Sequence, residues 1–151
     1  MVDTVTKETR SNIMARIRSM NTRPEMLLRK ALFALGLRYR LHFGKLPGCP
    51  DLVFPKYKVV AFVHGCFWHW HGCERSRMPK TNVGYWRAKI ARNQARDSKN
   101  VAALCALGWR VLIVWECALK APILSASANE AADWIRVGAQ NVGTVAPTID
   151  N

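Results

Sequence analysis

The sequence predicts an α/β fold, a central mixed β-sheet flanked by α-helices, and three observations carry that prediction. Residues 109–115 (Trp-Arg-Val-Leu-Ile-Val-Trp) form an almost unbroken apolar run of strand length, which implies a strand buried on both faces. Residues 57–64 (Tyr-Lys-Val-Val-Ala-Phe-Val-His) are β-branched and aromatic, the composition of a second buried strand. Between them, 83–107 reads as one long helix that Gly108 stops, so helices and strands alternate along the chain. With 151 residues, half of them hydrophobic, the chain is about one domain long and can bury a core.

The remaining elements follow in order. Residues 10–20 place Ile13, Ile17 and Met20 at helical spacing among Arg10, Arg16 and Arg18, a short basic amphipathic helix. Thr22-Arg23-Pro24-Glu25 has the form of a capping box and opens a helix that runs through Leu35 to Gly36. Residues 38–43 and 51–55 look extended, and Pro55-Lys56 supplies the turn into the 57–64 strand. A last helix is expected over 128–137. The division expected is a single domain with a basic N-terminal helix at 1–21, a core at 22–137 and a flexible tail at 138–151.

Charge narrows the function. With 23 basic and 10 acidic residues the net charge is +13, which points to a polyanionic partner, nucleic acid first. No apolar run approaches the roughly 20 residues that span a bilayer, and residues 1–4 lack a secretory pattern. Five irregularly spaced cysteines do not form a disulfide framework and read as ligands or buried thiols of a reducing, cytoplasmic setting.

The densest chemistry lies at 64–73, His-Gly-Cys-Phe-Trp-His-Trp-His-Gly-Cys, with three of the four histidines and two of the five cysteines. Cys66, His71 and Cys73 have metal-ligand spacing, and a tetrahedral ion needs a fourth donor from elsewhere. Cys117 lies just beyond the 109–115 strand, where a chain end can meet a loop at the sheet's edge. Cys105, among Ala103, Leu104 and Leu107, reads as a buried thiol, and Cys49 is a less placeable loop residue. The expected set is a structural Cys₃His zinc site of Cys66, His71, Cys73 and Cys117; its rival is a loose cluster of buried thiols. Four protein ligands leave no open position, so catalysis must come from other residues.

Between positions 25 and 120 the only acidic residues are Glu25, Asp51, Glu74, Asp97 and Glu116. Phosphodiester cleavage commonly uses Mg²⁺, which takes oxygen ligands. Asp51 begins a strand that the Pro55 turn folds back, so Asp51 and His64 sit at one end of a hairpin. A carboxylate there can hold Mg²⁺ while neutral His64 or His69 positions or deprotonates a water. Capping alone would account for Glu25, charge balance with Arg92 and Arg96 for Asp97, and a strand-end turn for Asp51. Glu116 could equally be surface.

Pro-Gly-x-Pro-Asp at 47–51, His-Gly-Cys-Phe-Trp-His at 64–69 and Gly-Trp-Arg-Val-Leu-Ile-Val-Trp-Glu-Cys at 108–117 closely resemble the Vsr family of very-short-patch repair endonucleases. Thr9-Arg10-Ser11 and the Glu25 helix match too, so the resemblance spans roughly residues 7–120. It implies a restriction-endonuclease-like fold and nicking of one DNA strand 5′ to the thymine of a T:G mismatch left by 5-methylcytosine deamination. It implies Asp51 and the Val63 carbonyl as Mg²⁺ ligands, with Glu25, His64 and His69 acting on the surrounding waters. His69 is the favoured general base, and Asp97 its orienting partner. Cys66, His71, Cys73 and Cys117 match the family's structural zinc ligands. Phe67 and Trp68 match residues that wedge into the base stack beside the mismatch, where unstacking costs least. Met14, on the N-terminal helix, would enter the minor groove. Lys89 and Asn93, one turn apart, could face base edges in the major groove, or equally form a solvated helix face.

The chain departs from the broader restriction-type pattern at Val63-His64-Gly65, which holds neither the acid nor the lysine that usually follows the metal aspartate, so water activation falls to histidine. Val63 stands where Thr is frequent, a change that a carbonyl ligand survives. Cys49 stands where Arg is familiar, which removes a phosphate or base contact and bears on the sequence context read. The expected enzyme is a monomer acting on double-stranded DNA in the bacterial cytoplasm, at the nucleoid, with mismatch-repair proteins and a DNA polymerase downstream. Rival readings are a nickase of the same fold for another mismatch or context, and a zinc-stabilised DNA-binding module without catalysis. A thiol-based redox or metal-buffer protein leaves the charge and the wedge aromatics unexplained.

Overall fold

The computed structural model describes Thr6 and residues 20–147. Its centre is a five-stranded mixed sheet in the order β1-β2-β3-β4-β5. β1 (Arg40–Leu41), β2 (Leu52–Phe54) and β3 (Val59–His64) form an antiparallel meander, and β4 (Arg110–Trp115) and β5 (Val142–Val145) add to it in parallel. Parallel neighbours need long crossovers. Helix α2 (Val83–Ala106) lies in the crossover from β3 to β4, and α3 (Leu124–Val137) in that from β4 to β5. Helix α1 (Arg23–Ala34) precedes the sheet and packs against α3.

Strand periodicity divides the core in two. Leu52 and Phe54 of β2, Val59 and Ala61 of β3, and Leu112 and Val114 of β4 join α1 and α3 on one face. Their alternates Val53, Val60, Phe62 and Val111 join Leu104 of α2 on the other. Side chains two apart share a face, so both apolar runs are explained by a sheet covered on each side.

α1 begins as its capping box requires. The Thr22 hydroxyl accepts from the Glu25 N–H at 3.4 Å, and Pro24 lies in the first turn, where its missing N–H costs nothing. Among the described residues no helix is long and apolar enough to cross a membrane.

Three expectations change. The strand expected over 38–43 is only Arg40–Leu41, because His42 leaves extended geometry with φ 44°. The last helix starts at Leu124 rather than Ala128. The segment from 138 expected as a flexible tail instead supplies strand β5, paired with Val111–Val114. Gly143 makes that pairing possible: a Cβ there would lie 2.4 Å from the Trp134 indole. The basic helix expected over 10–20, with Met14, lies outside the described residues.

Candidate functional site

β3 and β4 run parallel with His64 opposite Trp115, so both strands end at one level. The loop after β3 and the 3₁₀ turn after β4 (Glu116–Ala118) therefore meet, and Cys117 arrives beside Cys66. Backbone bonds fold the loop into a knot. The His71 N–H donates to the Cys66 carbonyl at 2.9 Å, the Ser76 hydroxyl donates to the same oxygen at 2.7 Å, and the Gly72 N–H donates to that hydroxyl at 3.1 Å. The Cys66 N–H donates to the Glu116 carboxylate at 3.0 Å, which tethers the loop to the turn that carries Cys117. The His71 ring stacks on Trp115 with centroids 4.3 Å apart.

The donor atoms of Cys66, His71, Cys73 and Cys117 all lie within 4.8 Å of one another. His71 Nδ1 is 3.8 Å from Cys66 Sγ and 3.3 Å from Cys117 Sγ. A tetrahedral ion with ligand bonds of about 2.0–2.3 Å sets its donors roughly 3.5–3.8 Å apart, so the four could hold a metal ion. Burial pushes the Cys66 and Cys117 thiols up, so the thiolate form needs a neighbouring cation. Burial pushes His71 down, toward the neutral imidazole that ligates.

A second arrangement faces a cleft of about 940 Å³ on the same side of the molecule. Asp51 precedes β2, and its Oδ2 accepts the Val63 N–H at 2.7 Å. Gly48 (φ 76°) packs the Asp51 loop against Asn100 of α2 so closely that a Cβ there would lie 2.9 Å from its amide nitrogen. Burial raises Asp51 to about 6; the Val63 bond opposes the shift and the Glu25 charge adds to it.

His64, on the α2 face of β3, is buried between Phe62 and Trp115. Burial, and then the neighbouring His69, push it down to about 4, so it is neutral at pH 7. His69 stacks on it with centroids 3.8 Å apart and planes 6° from parallel. His69 Nδ1 meets Asp97 Oδ2 of α2 at 2.5 Å. Burial works against ionisation of Asp97, yet the bond to His69 and that ring's charge hold its carboxyl below the ordinary range. With Nδ1 paired, Nε2 meets no hydrogen-bond partner among the described residues, an arrangement that can serve as a general base.

Glu25 is buried, with Oε2 accepting the Asn21 N–H at 3.1 Å. Its Oε1 meets Arg29 at 3.3 Å and His42 Nε2 at 2.5 Å. Bonding at the helix start and a place beside His42 and Asp51 are therefore not competing explanations of Glu25, since the same carboxylate does both.

The expected residues thus fall into separate groups. Asp51, His64, His69 and Asp97 line the cleft, Glu25 lies buried beside it through His42, and the four Cys/His donors form their own cluster without Asp51. Val63 meets Asp51 through its N–H. Phe67 and Trp68 form an aromatic cluster with Trp86, centroids 5.1–5.9 Å apart. The Asn93 amide donates to the Trp68 carbonyl at 3.1 Å, and the Lys89 ammonium lies 5.9 Å from the Trp68 ring. Both α2 residues thereby touch the aromatic loop.

Sequence reasoning left His42 out and placed no role on Trp86. The antiparallel pairing of 38–43 with 51–55 was the available signal for His42, because it sets that residue against Asp51; the His42 N–H donates to the Asp51 carbonyl at 3.2 Å. Trp86 offered no signal beyond a tryptophan in the first turn of a helix. Glu116, which position alone leaves as a surface candidate, is the tether of the Cys66 loop.

The chain matches the family model described as DNA mismatch endonuclease Vsr over residues 2–75. It is 51% identical over 119 residues, 79% of this chain and 88% of the relative, to "Type II nicking enzyme V.XorIIP" of Xanthomonas oryzae pv. oryzae. It is 47% identical over 120 residues, 80% of this chain and 86% of the relative, to "Type II nicking enzyme V.NmeAIP" of Neisseria meningitidis serogroup A. It is 45% identical over 120 residues, 80% of this chain and 77% of the relative, to "DNA mismatch endonuclease Vsr" of Escherichia coli.

Proposed function

The chain belongs to the Vsr family of DNA mismatch endonucleases, and from that premise we propose that it nicks one strand of duplex DNA 5′ to the thymine of a T:G mismatch, in a Mg²⁺-dependent reaction that opens repair. The observation that carries this reading is the His69–Asp97 pair, stacked under His64 and facing Asp51 across one cleft. The fold in this reading is restriction-endonuclease-like, with the family's nuclease activity housed in a single domain.

Asp51 and the Val63 carbonyl would hold Mg²⁺, a hard oxygen-ligated cation that, when bound, stabilises charge on the scissile phosphate. His69 Nε2 takes the proton of the attacking water, and Asp97 keeps Nδ1 occupied and steadies the imidazolium that results. Neutral His64 holds the His69 ring in plane from below. Glu25 orders waters at the Asp51 side of the cleft. The bond from water oxygen to phosphorus forms as the bond from phosphorus to the leaving sugar oxygen breaks, and a proton from solvent neutralises that oxygen.

The Cys66, His71, Cys73, Cys117 set is proposed to hold Zn²⁺ as a structural ion, since a Cys₃His donor set with no open position suits that metal and leaves it no substrate site. It would fix the loop on which His69, Phe67 and Trp68 stand. Phe67 and Trp68 would enter the stack beside the mismatch, Met14 the minor groove, and Lys89 and Asn93 would contact the DNA next to the wedge. The +13 charge supplies phosphate affinity. Such an enzyme would act as a monomer in the bacterial cytoplasm and hand its nick to mismatch-repair proteins and a polymerase.

Cys49 favours a second reading in one respect, the flanking sequence. It is exposed on the cleft wall, and a thiol there makes no bidentate base or phosphate contact. The test is nicking of a panel of duplexes carrying T:G in varied contexts, beside matched controls, with Mg²⁺ present or withheld. Mismatch-dependent nicking in at least one context supports the proposal. No cleavage in any context would sink it.

A further inference from the structure

Three of the four histidines have roles in the reading above; His42 does not, and it has no place among the residues that carried the family resemblance. It follows β1 with φ 44°, a backbone region sparsely used by residues other than glycine. Its side chain is 16% exposed, beside a Glu25 side chain 2% exposed. Asp51 stands on the other side. The donor atoms of Glu25, His42 and Asp51 all lie within 4.8 Å of one another; His42 and Asp51 line the cleft, and Glu25 is buried behind them.

His42 Nε2 meets Glu25 Oε1 at 2.5 Å. A cation would replace the proton of that bond and part the two atoms to ligand separation, after which the group suits one six-coordinate ion. Ligand bonds of about 2.1–2.2 Å put neighbouring donors roughly 3 Å apart and opposite donors just over 4 Å apart. Charge points the same way. Among the described residues, two carboxylates, Glu25 and Asp51, have one arginine paired with them, Arg29 on Glu25, beside the titratable His42. One negative charge is left in a buried setting, where it needs a counter-ion.

The donor set has a specific consequence. Mg²⁺ prefers oxygen in near-ideal octahedral geometry and gives up water reluctantly, whereas first-row transition dications gain from an imidazole nitrogen. We propose that His42 is a ligand in a cation site shared with Glu25 and Asp51, and that it tunes this site toward a transition dication of the Mn²⁺ type over Mg²⁺. The proposal rests on the reading of Asp51 as the metal-holding carboxylate. Mg²⁺ still binds through oxygen, but more weakly.

The test uses zinc-loaded full-length protein without DNA, and Mn²⁺ as both probe and ligand. Electron spin resonance of free Mn²⁺ gives its affinity, competition gives that of Mg²⁺, and electron spin echo modulation reports a directly bound ¹⁴N. Expected are a ¹⁴N modulation in the wild type and, in His42→Gln, its loss together with a Mn²⁺ affinity about tenfold lower and a Mg²⁺ affinity little changed. An unmodulated wild-type echo overturns the proposal without recourse to any variant. So does a His42→Gln protein with the same Mn²⁺ to Mg²⁺ ratio as wild type. Asp51→Asn separates the two levels: if it abolishes binding of both cations while His42→Gln changes nothing, the Asp51 reading stands and the His42 proposal falls. If Asp51→Asn leaves Mn²⁺ bound, both fall.

Discussion

Replacing Asp51 by Asn divides what this carboxylate does for chemistry from what it does to the fold. Asp51 is raised from 3.8 to about 6, chiefly by burial. The folded protein therefore holds a proton that the unfolded chain releases across that window, so wild-type stability from this group falls as pH rises. Well below pH 4 the carboxyl is neutral in both states and the effect vanishes. Above about pH 6 it is ionised in both, and the full cost applies. A gap of about two pH units at about 1.4 kcal/mol each gives about 3 kcal/mol. Asparagine keeps the acceptor for the Val63 N–H and has no charge to bury. Urea unfolding of both proteins at pH 4, 5, 6 and 7.5, with zinc constant and Mg²⁺ withheld, should show the variant gaining about 2.5 kcal/mol on wild type between the lowest and highest pH, since part of the cost is already present at pH 4. His64 runs the other way. Its value of about 4, against 6.5, favours the fold as pH rises from 4 to 6.5, so the wild-type profile alone is flattened and only the difference between proteins isolates Asp51. Added Mg²⁺ should then stabilise the wild type and not the variant. A difference that stays level with pH, or an Asn variant less stable at pH 7.5 than at pH 4 relative to wild type, would refute the argument.

Asp97→Asn should lower the nicking rate by about a hundredfold or more with DNA affinity kept, since His69 loses the partner that fixes its Nδ1; single-turnover kinetics and a binding titration separate the two. Cys117→Ser should lose most of the bound metal by elemental analysis, and with it the ordered surroundings of Trp115, read by tryptophan fluorescence. Asn93→Ala removes one hydrogen bond to the Trp68 carbonyl, worth about 1 kcal/mol, so mismatch over homoduplex discrimination should fall by roughly fivefold while metal content is unchanged. Gly143→Ala forces a Cβ against the Trp134 indole and should destabilise the protein by about 1–3 kcal/mol in urea unfolding, with the amides of Val142–Val145 losing exchange protection first.

Legibility in the sequence followed the range of the forces involved. β3 and β4 were readable because each is buried on both faces and so carries an unbroken apolar run. The Cys₃His cluster was readable because three of its members lie within eight residues and the fourth follows the strongest strand in the chain. β5 was not, since Val-Gly-Thr-Val has a glycine where strand propensity is weakest, and only the approach of Trp134 explains it. His42 was missed because its partners, Glu25 and Asp51, come from a helix and from the loop before β2, on either side of it in sequence. Nothing local to residues 40–44 signals a carboxylate on either flank.

The level ends of β3 and β4 bear on when this protein becomes able to act. His71 and Cys117 are 46 residues apart, with all of α2 between them. Closing so long a segment carries an entropic cost that only the parallel pairing of two strands offsets, so the ion cannot find its four donors in a nascent or half-folded chain. Metal capture by this cluster, as proposed, would thus be a late step in maturation. A strongly basic polypeptide will sit on DNA before it is finished, through charge alone. Because His69, Phe67 and Trp68 ride on the same loop as the candidate metal donors, the proposed reading gives an immature molecule affinity for DNA without the means to cut it.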